Sequence, residues 1–224
     1  MPDEALDVVT SIVEPPKRPG RFAIVSGATE VATVTAEVIS ELQIHVGRAL
    51  DTRTLDALRV HDRRTAVLDR ALRLLSVRGR ATSELSRALL RAKDRPAADD
   101  VKWAIRRLTE QGYLDDARFA DQFVRDRAVA RGWGKGRLRQ ELRRRGVAPA
   151  HVEPALSQAD EDAALDDSRS ALEVARKWRR THSARDPDRD RQRLYGFLAR
   201  RGFSPDTIRD AIRAALTDGG SDSQ

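Results

Sequence analysis

The chain has 224 residues, 34% of them charged and only 4% aromatic, and its 42 Lys+Arg against 35 Asp+Glu give a formal charge of +7. A mean hydropathy of −0.58 and a pI near 10.4 exclude one thick aromatic core and put polyanions first among partners. The absence of cysteine excludes disulfides, thiolate metal sites and a cysteine nucleophile. No run approaches the ~18 apolar residues of a membrane helix. The acidic start MPDEALDVVT lacks the basic and apolar regions of a secretory signal, so a cytoplasmic location is expected.

Residues 1–20 end in EPPKRPG, and their prolines predict a flexible leader. A head over 21–62 follows. Phe22–Val25 and Val31–Val34 are β-prone runs separated by a segment opening with Ser26-Gly27, which predicts a hairpin. A short helix is expected near Ala36–Leu42, and Asp51 is a natural N-cap for a helix over 52–59.

From about residue 62 the pattern turns helical. Val67, Ala71, Leu74 and Leu75 recur at helical spacing, as do Leu85, Leu89 and Leu90, then Val101, Ile105 and Leu108. Thr82 or Ser83 is expected to cap the second helix and Asp99 or Asp100 the third, which Gly112 ends. RLRQELRRRGVAPAHVEPAL (137–156) then recurs without a gap as RLYGFLARRGFSPDTIRDAI (193–212), 56 residues on. Leu138, Leu142, Gly146, Pro149 and Val152 match Leu194, Leu198, Gly202, Pro205 and Ile208, so capping chemistry repeats along with the apolar stripe. The expected fold is mainly α. Tandem three-helix units near 63–112, 113–158 and 165–217 form an elongated, curved array behind the hairpin-containing head, and a disordered tail occupies 218–224.

Chemistry-bearing patterns are sparse. His45, His61, His151 and His182 lie far apart and have no metal-ligand spacing. GWGKG (132–136) resembles a phosphate loop, but Val129 and Gly136 stand where that loop needs Gly and Ser or Thr. Asp115-Asp116, just before a helix, favours capping over a metal pair. No catalytic residue, metal site or cofactor is therefore expected. Trp103, Phe119 and Phe123 lie on apolar stripes and belong to the core. Tyr113 is expected to pack between the first two units. Trp133 suits a stacking platform or a satellite core position equally.

Charge is concentrated in 123–145, where nine Arg or Lys face only Asp126 and Glu141. Arg127, Arg131, Lys135, Arg137, Arg139, Arg143, Arg144 and Arg145 are the candidate binding residues. Arg137, Arg144 and Arg145 lie off the Leu138/Leu142 stripe and are expected to be exposed. Arginine forks suit phosphate and carboxylate oxygens, and about six phosphate contacts would make binding steeply salt-dependent.

ALRLLSVRGRATSEL (71–85) and LTEQGYLDDARFADQFVRDRAVARGWGKGRLRQELRRRGV (108–147) resemble the RecX family of bacterial recombination regulators, over about 63–217. The resemblance implies a monomeric, non-enzymatic modulator that binds the RecA–DNA filament, along its groove or at its end. The expected consequence is inhibition of RecA's ATPase and strand exchange in recombination and DNA repair, with direct DNA contact as a further possibility. It transfers no individual binding residue. The alternative is a transcription regulator, because ATSELSRALLRAKDRPAADDVKWAIRRLTEQGYL has the rhythm of a helix-turn-helix or winged-helix unit. The repetition of the unit and the lack of an obvious sensor or dimerisation segment weigh against it.

Overall fold

The computed structural model describes residues 7–162, 165–182 and 186–217. The tail 218–224 and the first six residues of the expected leader lie outside them. Backbone contacts divide the chain into two bodies: Met1–Gly79 with Leu85–Tyr113, and Arg80–Glu84 with Leu114–Gln224. Among the described residues, no helix is long and apolar enough to cross a membrane.

The first body opens with β1 (Asp7–Val13), β2 (Phe22–Ser26) and β3 (Thr29–Val34), followed by α1 (Ala36–Glu41) and β4 (Ala49–Leu50). The antiparallel sheet has the order β3-β2-β1-β4. The predicted hairpin is β2–β3, and Gly27 at φ +60° supplies the left-handed turn residue. The leader reading is corrected by β1, an inner strand. Its β-branched run pairs with Ala23–Ser26 on one side and Ala49–Leu50 on the other. Pro15, Pro16 and Pro19 fall after the strand and remove none of its ladder bonds.

α2 (Thr52–Val77) is one continuous helix of 26 residues, where the sequence suggested a short helix over 52–59 and a new start near 62. Asp51 caps it as expected, accepting from the Thr54 N–H at 2.7 Å. Its first half covers the sheet, placing Leu58 with Val9, Ile24, Val34 and Leu50. α2 also packs on α4 (Ala98–Glu110). Between them, α3 (Thr82–Leu90) buries Leu85 and Leu89. Asp100 is not the cap of α4, which starts after Ala97. The Asp100 carboxylate is buried and faces Arg63 and Arg64 of α2 at 3.3 and 3.5 Å. Tyr113 is exposed rather than packed between units.

The second body contains α5 (Asp116–Arg131), α6 (Lys135–Arg145), α7 (Pro149–Glu161), α8 (Asp167–Thr181), α9 (Pro187–Arg200) and α10 (Pro205–Thr217). Phe123, Val124, Leu138, Leu142, Val152 and Leu156 form one core. Ala171, Trp178, Leu194, Leu198, Phe203 and Ile208 form the other. The 56-residue repeat holds in three dimensions. Leu138 and Leu142 are as deeply buried as Leu194 and Leu198, and Gly146 and Gly202 end their helices at φ +84° and +86°.

The paired aspartates stitch these helices together. Asp115 caps α5 through the Arg118 N–H, and Asp166 caps α8 through the Arg169 N–H. The next residue of each pair reaches back to an earlier helix: Asp116 accepts from the Thr82 N–H at 2.8 Å and Asp167 from the Lys135 N–H at 3.2 Å. Burial pushes the Asp167 carboxyl above its ordinary range, and the Lys135 N–H bond only partly offsets this. A group whose pKa is raised on folding contributes most stability below its unfolded value and loses it as pH rises through the folded one. Asp167→Asn keeps an acceptor without the buried charge, so at neutral pH its urea midpoint should equal or exceed the parent's. Asp167→Ala removes the acceptor of the Lys135 N–H at the start of α6 and should cost about 0.5–2 kcal/mol. Equal losses in both variants would contradict this.

Candidate functional site

The eight candidate cations divide into three groups. On one side of α6, Arg139 forms a two-pronged pair with Glu153 of α7, both contacts at 2.8 Å, and Arg143 lies 4.0 Å from the same carboxylate. Lys135 pairs with Asp160 at 2.8 Å. The Arg139 bond holds the Glu153 carboxyl below its ordinary value despite a small opposing effect of burial. The local excess of positive charge in 123–145 is therefore partly neutralised by acids of the following helix.

The second group surrounds Glu141, whose side chain is only 7% exposed. Arg145 reaches it at 2.7 Å, Arg137 at 2.9 Å and Arg144 at 3.9 Å. Arg144 is exposed, as expected, but Arg137 and Arg145 are half-buried, because the carboxylate draws them down onto the helix. Burial alone would raise the Glu141 carboxyl. The Arg145 hydrogen bond and the charges of Arg144, Arg145 and Arg137 outweigh it and hold the group below its ordinary value of 4.5. The stability Glu141 confers is thus complete above pH 4.5 and is lost as pH falls below it. Below that value the parent should lose more stability in urea melts than Glu141→Gln does. Parallel pH profiles for the two proteins would count against the cluster.

Arg127, Arg131 and Arg137 form the third group. They line a cleft of about 1550 Å³ whose other wall comes from α8 and α9. Seven of its lining residues are Arg or Lys and one, Glu173, is acidic. Arg131 and Arg137 lie over the Trp133 ring, 5.6 and 5.2 Å from its centre, and the ring also packs beside Phe123. Trp133 is thus both satellite core and cleft wall. From α8 and α9 come Arg169, Lys177, Arg200 and Arg201, with the stacked rings of Trp178 and His182. The single-stretch charge count missed these residues. The repeat offers the missing signal, since the 56-residue offset maps Arg144-Arg145 onto Arg200-Arg201.

The GWGKG loop joins the two walls and is not a phosphate cradle. The Gly134 N–H donates to the Arg201 carbonyl at 2.9 Å, and the Gly136 N–H donates to the Gly202 carbonyl at 3.1 Å. A Cβ on Gly134 or Gly136 would lie 2.8 Å from the Gly202 carbonyl oxygen. These glycines permit direct contact between two backbones, which fixes α6 against the turn between α9 and α10.

Comparison with known proteins identifies this arrangement. Residues 115–156 match the family model described as "RecX, second three-helix domain", and 166–212 match "RecX, third three-helix domain". "Regulatory protein RecX" of Halorhodospira halophila is 41% identical over 156 residues, covering 68% of this chain and 90% of that protein. Its namesake in Mycolicibacterium vanbaalenii is 39% identical over 153 residues, covering 66% of this chain and 80% of that protein. A solved structure titled "Crystal structure of regulatory protein RecX" superposes with a TM-score of 0.72 over 93% of this chain and all of that one, at 24% identity, and so supports the fold. The repeated three-helix units, their order and these relatives together establish that the chain belongs to the RecX family of regulatory proteins.

Proposed function

We propose that the protein is a monomeric, non-enzymatic, cytoplasmic regulator that binds the RecA–DNA filament and restrains RecA's ATPase and strand exchange. Membership of the RecX family carries this reading. The relatives bear the name of a regulatory protein, and modulation of RecA is the role the family resemblance implies. The charge distribution fits a nucleoprotein partner. Arg127, Arg131 and Arg137 face the cleft, while Arg143 and Arg144 stand exposed on α6. Those five are the proposed contacts. Lys135, Arg139 and Arg145 are anchored to Asp160, Glu153 and Glu141 and shape the surface rather than lead the contact.

Retention of the protein on immobilised RecA filaments, assembled on single-stranded DNA, tests the reading against two controls: the DNA alone and RecA alone. Retention on the filament above both controls is expected. Equal retention on filament and bare DNA would reduce the protein to a DNA binder, and no retention on the filament would overturn the proposal.

A further inference from the structure

The repeat supplies an internal control on what the cleft lacks. Arg145 and Arg201 occupy equivalent positions, 56 residues apart. Arg145 finds Glu141, four residues earlier, at 2.7 Å. The residue equivalent to Glu141 is Phe197, and the Arg201 guanidinium instead lies over the Phe197 ring, 4.6 Å from its centre. The buried Nε atoms of Arg201 and Arg137, both cleft-lining residues, have no hydrogen-bond partner among the described residues. Burial holds Arg201 below its ordinary range, as expected of a cation taken from water without a counter-charge. Among the described residues, Arg127, Arg131, Lys177, Arg200 and Arg201 have no carboxylate within 4.0 Å. A concavity that gathers this many unneutralised cations is incomplete without an anion.

The same cleft presents flat rings. Trp178 is almost fully buried. The His182 imidazole stacks on it with centres 4.1 Å apart and planes 6° from parallel. His182 Nδ1 lies 2.9 Å from the Trp178 carbonyl and 3.0 Å from the Thr181 hydroxyl, so the ring is held in place. His182 is exposed and lines the cleft.

We infer that the cleft walled by α5, α6, α8 and α9 is a binding site for single-stranded nucleic acid, with phosphates on Arg131, Lys177 and Arg200 and a base against the Trp178–His182 stack. Cations interleaved with fixed aromatic faces match what an unpaired strand offers, a charged backbone and free base planes. An acidic peptide would use the cations but has no planar base to lay on the imidazole. A duplex keeps its base planes stacked inside.

The test uses the full chain and a labelled oligothymidylate, with no RecA present, so its outcome is separate from that of the filament reading. Three proteins are compared with the parent by fluorescence anisotropy across ionic strengths. They are Arg131→Gln/Lys177→Gln/Arg200→Gln, His182→Ala, and the equal-charge control Lys102→Gln/Arg106→Gln/Arg209→Gln, whose side chains are exposed outside the cleft. The cleft triple variant should flatten the log-affinity against log-salt slope by about 2, or about 0.7 for each lost phosphate contact. His182→Ala should weaken binding roughly five- to hundredfold, the range for one lost base stack. The control should stay near the parent. Circular dichroism checks folding. A second measurement on the parent needs no substitution: photocrosslinking to an iodouracil-substituted strand should modify peptides within 127–137 and 169–201. The inference is overturned if the parent ignores the strand, if the cleft variant keeps the parent's slope, or if the control falls equally. Crosslinks confined to other segments also overturn it.

Discussion

Gly202→Ala should destabilise the second body by about 2–5 kcal/mol, the combined order of a left-handed non-glycine residue and an overpacked contact. Gly202 sits at φ +86°, and a Cβ there would lie 2.0 Å from the Arg137 backbone nitrogen and 2.8 Å from its Cα. These are backbone atoms of α6, so no side chain can rotate away. The clash also displaces the Gly202 and Arg201 carbonyls from the Gly136 and Gly134 N–H groups. Two other glycines calibrate the effect. Gly112, at φ +75° with open space around it, should cost only the backbone strain, about 1–2 kcal/mol. Gly196 lies inside α9 with Arg200 Nη1 at 3.4 Å as its near neighbour. Gly196→Ala should therefore gain up to about 1 kcal/mol of helix propensity. Urea melts rank the three. If Gly202→Ala costs no more than Gly112→Ala, the turn does not rest on α6.

Leu142→Ala should cost about 2–5 kcal/mol, because a fully enclosed leucine leaves a cavity as well as losing its transfer energy. Leu142 has no exposed surface and shares its core with Leu138, Phe123, Val147 and Val152. Leu198, its equivalent 56 residues on, is equally enclosed among Leu194, Phe203 and Ile208. Leu198→Ala should fall in the same range, which makes the repeat itself testable. A loss below about 0.5 kcal/mol in a reversible melt, typical of surface positions, would place the helix face wrongly.

The features legible in the sequence were local ones. The β2–β3 hairpin followed from two β-prone runs around Gly27, and the Asp51 cap from a carboxylate just before a helical pattern. The Leu138/Leu142 and Leu194/Leu198 cores followed from matched spacing with matched Gly and Pro. Strand β1 was obscured because its partners are distant in the chain, at Ala23–Ser26 and Ala49–Leu50, while Pro15 and Pro16 just beyond it signal a break. Asp100 looked like a cap because nothing near it in sequence reveals Arg63 and Arg64. The cationic stretch looked nearly unopposed for the same reason: Glu153 and Asp160 become partners only once α6 and α7 fold together. The GWGKG glycines suggest a phosphate loop in one dimension and a backbone contact in three. The cleft draws on residues up to 74 apart, and a charge count along one segment sees only one of its walls.

The proposed restraint of RecA is tested most directly by RecA's DNA-dependent ATP hydrolysis. Filaments are formed on single-stranded DNA, this protein is titrated in, and phosphate release is followed at fixed ionic strength. Hydrolysis is expected to fall progressively to a plateau as the protein is added. An undiminished rate, at concentrations where the protein is demonstrably bound to the filament, would contradict it.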